Sequence, residues 1–480
     1  MSDAVPLLPN DITDDESELS PDSPQPSKLF KNYRFRNLLA FNLSGFFAIS
    51  FVIFLTSSQP FFISQILRID NNRIGKIIGL LGVVDELTSI LTSPLIGSLN
   101  DKINNSNLLL NGSKLIVFGS FLLITISFLI YGLWDFHSWY QLIVPRIIFA
   151  VGITSGMSMI PVLLHQLIYS DFKFSKIFYW KRNTDTPNSN LNKNGKYSAM
   201  IGIATGLGAI FSVSCFLSLP VKLSIDFDLT AKEGLKLSFV IIGSISILVG
   251  LFMLTFLYSF PTKNSSVSYF QLLATGWSKF LSSSSVKIAC IGGFIARSTS
   301  VLIAVFIPLY VYKFYYQNGL CDADGLPSKT NCYDGYVFAA IMSGVVQTIG
   351  LISSPFWGYA IDKFGKVPCL VTSSLFGIVG NLLMVLFNLD DPRSALVFFL
   401  VSLVGISQIG TVITSMSLIS VENDIVGSIS GIYNLFGGLG ILLLNQFGGF
   451  TIDYWSLSPF FIMGLFNAIL IVSCFFSTRT

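Results

Sequence analysis

The chain has 480 residues, 52% of them hydrophobic and 11% charged, where a soluble domain carries about a quarter charged residues. That balance excludes a water-soluble globular protein and implies a membrane protein. A formal net charge of +3, from 29 basic and 26 acidic residues, supplies no basic surface of the kind nucleic acid requires, so nucleic acid is not expected as a partner. With 2 His and 6 scattered Cys, neither a metal site nor a cofactor is expected. The 44 Phe suit lipid-facing helices, where large apolar side chains meet acyl tails.

Residues 1–36 read as a tail. Its first 27 residues are rich in Asp, Glu, Ser and Pro, a composition that buries too little apolar surface to offset ordering entropy, so a disordered segment is expected. No basic stretch followed by an apolar core stands at the start, so the first membrane helix is expected to act as the targeting signal. Asp3, Leu7 and Leu8 in DAVPLL have the spacing of an acidic dileucine signal. Such signals resemble those read by clathrin-type adaptors, which implies delivery to a vacuolar or endosomal membrane.

Twelve apolar stretches long enough to span a bilayer as helices follow. Six lie within 37–260, at 37–57, 74–99, 115–134, 141–165, 197–219 and 238–260. A linker, 261–287, separates them from six within 288–480, at 288–312, 335–361, 367–388, 395–419, 428–450 and 457–476. An even number of spans puts both termini on one side. That side holds the larger share of Lys and Arg, so it is expected to be cytoplasmic. Cys215, Cys290, Cys369 and Cys474 read as small core residues. Cys321 and Cys332 share a polar loop on the opposite side, where an oxidising compartment would allow a disulfide.

Self-comparison shows an internal repeat. Thr92-Ser93-Pro94-Leu95-Ile96-Gly97, then Asp101-Lys102, recurs as Ser353-Ser354-Pro355-Phe356-Trp357-Gly358, then Asp362-Lys363, at an offset of 261 residues. Val151-Gly152-Ile153-Thr154 recurs as Val404-Gly405-Ile406-Ser407, and Gly206-Leu207-Gly208 as Gly438-Leu439-Gly440. Two six-helix halves of common origin are expected.

The repeated loop resembles the signature of the major facilitator superfamily. Gly97, Asp101 and Lys102 supply its start, and Gly358, Asp362, Lys363, Gly365 and Lys366 supply all of it; the first copy departs at Asn104 and Asn105. The resemblance, to a fungal-type vacuolar or endosomal membrane member, implies an all-α membrane protein with twelve transmembrane helices in two pseudo-symmetric bundles. It also implies a gating role for Asp101 and Asp362, whose carboxylates can face a helix N-terminus.

Four ionisable residues stand where each costs on the order of 2.5–3.5 kcal/mol to insert: Asp85 and Glu86 in span two, Arg146 in span four, Arg297 in span seven. They are expected to face a wetted cavity or one another. Asp85 and Glu86 point about 100° apart, so they cannot face one partner equally. Arg146 opens a segment resembling the span-four motif that the family uses in proton movement. Proton coupling is therefore assigned to Glu86 or Asp85 with Arg146, the alternative being a static pair with Arg146. Arg297 with Ser298 and Ser300, and Gln347 at the repeat position of Glu86, are the expected solute contacts. No catalytic constellation is present, so no enzyme is expected.

The sequence therefore reads as a monomeric secondary transporter in a vacuolar or endosomal bilayer. It would move a small, anionic or zwitterionic solute with protons by alternating access. The alternatives are a plasma-membrane drug/proton antiporter and a non-transporting sensor or assembly partner of the same fold.

Overall fold

A computed structural model describes residues 32–67, 69, 71–104, 111–170, 172, 194–258, 268–320, 333–420, 425–452 and 454–477. The tail signal Asp3, Leu7 and Leu8, the pair Cys321 and Cys332, and Asn105 lie outside these residues.

In hydrocarbon every backbone N–H and C=O must be satisfied within its own segment, so apolar runs of this length form helices. The helices are α1 Phe35–Gln65, α2 Asn71–Asn104, α3 Gly112–Leu133, α4 Ile143–Ile168, α5 Asn194–Phe211, α6 Leu219–Asp226, α7 Ala231–Phe256, α8 Tyr269–Ser282, α9 Ser284–Val301, α10 Ile307–Gln317, α11 Tyr333–Phe364, α12 Lys366–Leu386, α13 Ala395–Ile419, α14 Val426–Ile452 and α15 Ser458–Ser477. Wider π-turns at Ser212–Phe216 and Leu302–Phe306 join α5 to α6 and α9 to α10. Each joined pair forms one span, α8 forms none, and the described residues thus hold the twelve expected spans. The chain is a multi-pass membrane protein.

Each half has a large core, and a smaller cluster of Ala199 with Trp357, Ile361, Cys369 and Ile413 joins them. In the first half, Phe51, Phe54, Phe62, Phe128, Tyr131 and Phe239 are fully buried. They pack edge-on or stacked, with the Tyr131 and Phe239 ring centroids 5.0 Å apart. The Phe thus divide: these fill the core, while others such as Phe356, Phe399, Phe450 and Phe476 are exposed on the helix surfaces, as expected of lipid-facing Phe. Between membrane helices burial from water drives little, and shape-fitting contacts such as offset aromatic pairs hold the bundle. Of the four Cys read as core, Cys290, Cys369 and Cys474 are buried and Cys215 is exposed.

With twelve spans, the first and last described residues lie at one end of the bundle, here the terminal end. There α2 ends against the start of α14, and α11 against the start of α5. The second joint turns on Gly365, whose φ of +90° suits a residue without Cβ and leads straight from α11 into α12. At the first joint Asn104 stands instead, and its Oδ1 accepts the Gly112 N–H at 2.8 Å as α3 begins. The departure from the repeat is thus a different closure of the same turn.

Candidate functional site

Both repeat carboxylates cap a helix of the opposite half. Asp101 is buried. Its Oδ1 accepts the Gly427 N–H at 3.1 Å, and its Oδ2 accepts the Ser428 N–H at 2.7 Å and the Ser428 hydroxyl at 2.6 Å. Asn100 donates a further bond at 3.1 Å. At the equivalent place Asp362 accepts the Gly195 N–H at 2.8 Å and the Lys196 N–H at 3.2 Å. The first N–H groups of a helix have no partner within it and carry its positive end, so a carboxylate there meets both needs. The repeat glycines allow the approach: a Cβ on Gly97 would stand 2.2 Å from the Gly427 carbonyl oxygen, and one on Gly358 2.9 Å from that of Gly195. Lys363 lies over the Tyr359 and Phe364 rings. Lys102 and Lys366 flank the two joints.

Contact between the halves climbs inward from these latches. The Ser354 hydroxyl donates to the Ala199 carbonyl at 3.1 Å, the Ser430 hydroxyl to that of Ser158 at 2.6 Å, and Asn434 Nδ2 to Ser158 Oγ at 3.2 Å. His165 Nδ1 lies 2.7 Å from the Ser420 carbonyl oxygen. Farther along the facing stripes, at Gly79 and Gly82 of α2 and Gly344 of α11, a Cβ would meet nothing within 4 Å. The halves meet at the terminal end and separate toward the other.

The four costly charges sit where contact gives way to separation, in two arrangements. Asp85 faces its own half. Arg146 donates to it through Nε at 3.1 Å and an Nη at 2.5 Å, and through the other Nη to Gln59 Oε1 at 3.3 Å. The Arg146 side chain is 5% exposed and that of Asp85 22%. Glu86, one residue on, lies on the stripe Gly97, Ser93, Ile90 that faces α14. It is about 22 Å from Asp101 at 1.5 Å per residue, and a Cβ on Gly438 would stand 3.6 Å from its Oε2. On the adjacent turn face, a Cβ on Gly437 would stand 2.9 Å from Arg297 Cγ. Glu86 and Arg297 interact electrostatically from opposite halves. Neither makes a hydrogen bond or ion pair among the described residues.

The other expected solute contacts divide. Gln347 is exposed on the stripe of α11 that carries Leu351, Ser354 and Gly358, which face α5; it therefore looks into the space between the halves. The Ser298 and Thr299 hydroxyls are buried and donate to the carbonyls of Phe294 and Ile295 four residues back, so neither stands ready for a solute. Ser300 is half-buried, donates to Ala296, and accepts from Gln408 Nε2 at 2.7 Å. Gln408 has Ser155, also polar, as its repeat partner on α4. Of the span-five glycines, Gly208 packs on the Phe46 carbonyl within the half, whereas Gly202 and Gly206 meet Ser354 and Leu351 of the other half.

The sequence profile of the Major Facilitator Superfamily matches residues 186–445, more than half of the chain. Among curated proteins, the chain is similar to the magnetosome protein MamH of Paramagnetospirillum magneticum, 24% identical over 198 residues that are 40% of this chain and 43% of that protein. It is also similar to the multidrug resistance protein MdtG of Escherichia coli, 30% identical over 196 residues, 40% of this chain and 42% of MdtG. The chain thus matches less than half the length of these relatives. Among solved structures, the E. coli fucose:proton symporter FucP superimposes with a TM-score of 0.62 at 13% identity, over 92% of this chain and 98% of that one. The human organic anion transporter MFSD10 does so with a TM-score of 0.60 at 11% identity, over 92% and 99%. At such identities these likenesses establish the fold.

Proposed function

We propose that this chain, which belongs to the major facilitator superfamily, is a proton-coupled secondary transporter of a small anionic or zwitterionic solute. The observation that carries this reading is the Glu86–Arg297 arrangement: opposite charges from opposite halves, facing one another without an ion pair, where the halves begin to part.

The roles follow from placement. Arg297 takes the anionic group of the solute, with Gln347, Gln408 and Ser300 as the proposed uncharged polar contacts. Glu86 takes the proton. Its charged form is favoured by Arg297, so an anion seated on Arg297 offsets that field, and solute binding and proton binding reinforce each other. Asp85, already held by two hydrogen bonds from Arg146, serves as a fixed counter-charge. Rocking of the halves would open the Asp101 and Asp362 latches and part the halves at the terminal end. In this reading that end faces the cytoplasm, which the Lys and Arg distribution supports, and the membrane is vacuolar or endosomal, for which the dileucine pattern is the support. Leu7→Ala with Leu8→Ala is expected to move a tagged protein to the plasma membrane; an unchanged location removes the sorting assignment.

The coupling is tested in vesicles containing the purified protein and loaded with a defined mixture of amino acids and small organic acids. Mass spectrometry reads the contents with and without an imposed pH gradient. One solute should move at least tenfold faster down the gradient than in protein-free vesicles, and Glu86→Gln should remove the gradient dependence. Gradient-driven movement unchanged in Glu86→Gln refutes the assignment of the proton to this residue.

A further inference from the structure

The linker helix α8, which crosses nothing, divides its side chains into three arcs, each residue turning 100° from the last. One arc enters the protein: Leu272 and Gly276 are buried, and a Cβ on Gly276 would stand 2.8 Å from Ser428 Cβ. On its flank the Phe280 and Phe436 ring centroids are 4.8 Å apart, and the Tyr269 hydroxyl donates to the Leu95 carbonyl at 2.9 Å. A second arc is polar: Gln271, Thr275, Ser278 and Ser282. The third is apolar and bare. Phe270, Ala274, Trp277 and Leu281 recur at helical spacing, and the three large side chains are 76%, 47% and 55% exposed.

We infer that this third arc is seated in the boundary between headgroups and acyl chains of the leaflet at the terminal end, with α8 lying along the membrane surface. Two observations select lipid over a protein partner. The first residue of the helix, Tyr269, is tied to Leu95, and Leu91, Leu95 and Leu99 form an exposed apolar stripe on α2, a membrane span whose bare apolar side chains belong against lipid. Apolar and polar arcs side by side are also what a helix at an oil–water boundary requires. The seat has a mechanical consequence, because Gly276 rests on Ser428, which holds Asp101. The leaflet thereby positions the helix that abuts the first turn of α14, whether or not the chain moves protons.

Fluorescence of the full-length protein in lipid nanodiscs tests this. The emission of Trp277 is the difference between wild type and Trp277→Phe. Lipids brominated high on the acyl chain should quench it at least twofold, and aqueous iodide should leave it nearly unchanged. Quenching by iodide but not by bromolipid overturns the inference. Quenching by neither, as when a second copy covers the arc, overturns it too. As a second reading, spin labels at Leu281→Cys and Ser278→Cys, in a background without native cysteines, should divide. The first should favour collision with oxygen and the second with a water-soluble nickel chelate; equal behaviour refutes the seat.

Discussion

Arg146→Leu should lower the apparent unfolding temperature of the detergent-solubilised protein more than any other single substitution among the four membrane charges. The change strands the Asp85 carboxylate, whose two donors among the described residues are both on Arg146. Breaking a buried ion pair from one side costs about 3–5 kcal/mol, and the 22% exposure of Asp85 places the loss near the low end. Gln59 also loses a donor, and its own Nε2 already has no partner among the described residues. The double substitution Arg146→Leu with Asp85→Asn should restore more than half of the fall, because the penalty lies in the uncompensated charge. Equal midpoints for single and double variants would show that the pair is not coupled. The double variant also separates the two carboxylates in transport. If Glu86 carries the proton, gradient-dependent flux persists in it, and if Asp85 does, flux is lost.

Asp101→Ala should shift the protein toward a state parted at the terminal end. The substitution removes the acceptor for two backbone N–H groups and one hydroxyl of α14, and each unsatisfied buried donor costs about 1–3 kcal/mol. Part of that is relieved when the halves separate and water reaches the helix end, so relief favours the parted state. A net bias of about 1.4–2.8 kcal/mol corresponds to a roughly 10- to 100-fold rise in the ratio of parted to closed protein. Spin labels at Arg36 and Phe364, exposed near the terminal ends of the two halves, should report it as a second, longer distance. Asp362→Ala should do the same more weakly, since it caps with two N–H groups, one on the exposed Lys196. An unchanged distance distribution in Asp101→Ala would remove the latch from the mechanism.

Much of this architecture is written in the order of residues. Length and apolarity locate all twelve spans, because a bilayer imposes one solution on each. Their limits fall short by a few residues where helices run on into the headgroup layer, as α2 does to Asn104. The repeat predicts that Asp101 and Asp362 act alike, and both cap a helix start. Pairing across the halves is less legible. Glu86 and Arg297 are far apart in the chain, and which of two adjacent carboxylates turns toward the other half depends on how α2 is rotated against α14. That Ser298 and Thr299 donate to their own helix backbone is not legible for a related reason, since composition does not reveal where a helical hydroxyl points. Helix α8 was legible in principle: its apolar residues recur every three to four positions, a pattern that a search for long apolar runs passes over.

The bare backbone at Gly437 and Gly438 gives α14 the character of a shutter. Only a segment without side chains leaves an aperture through which a carboxylate in one half and a guanidinium in the other sense each other. Sliding α14 by one turn would bring Asn434 or Ile441 into that aperture and screen the pair. Under the proposed coupling, the dialogue between proton and solute would then belong to one posture of the protein and fall silent in the next.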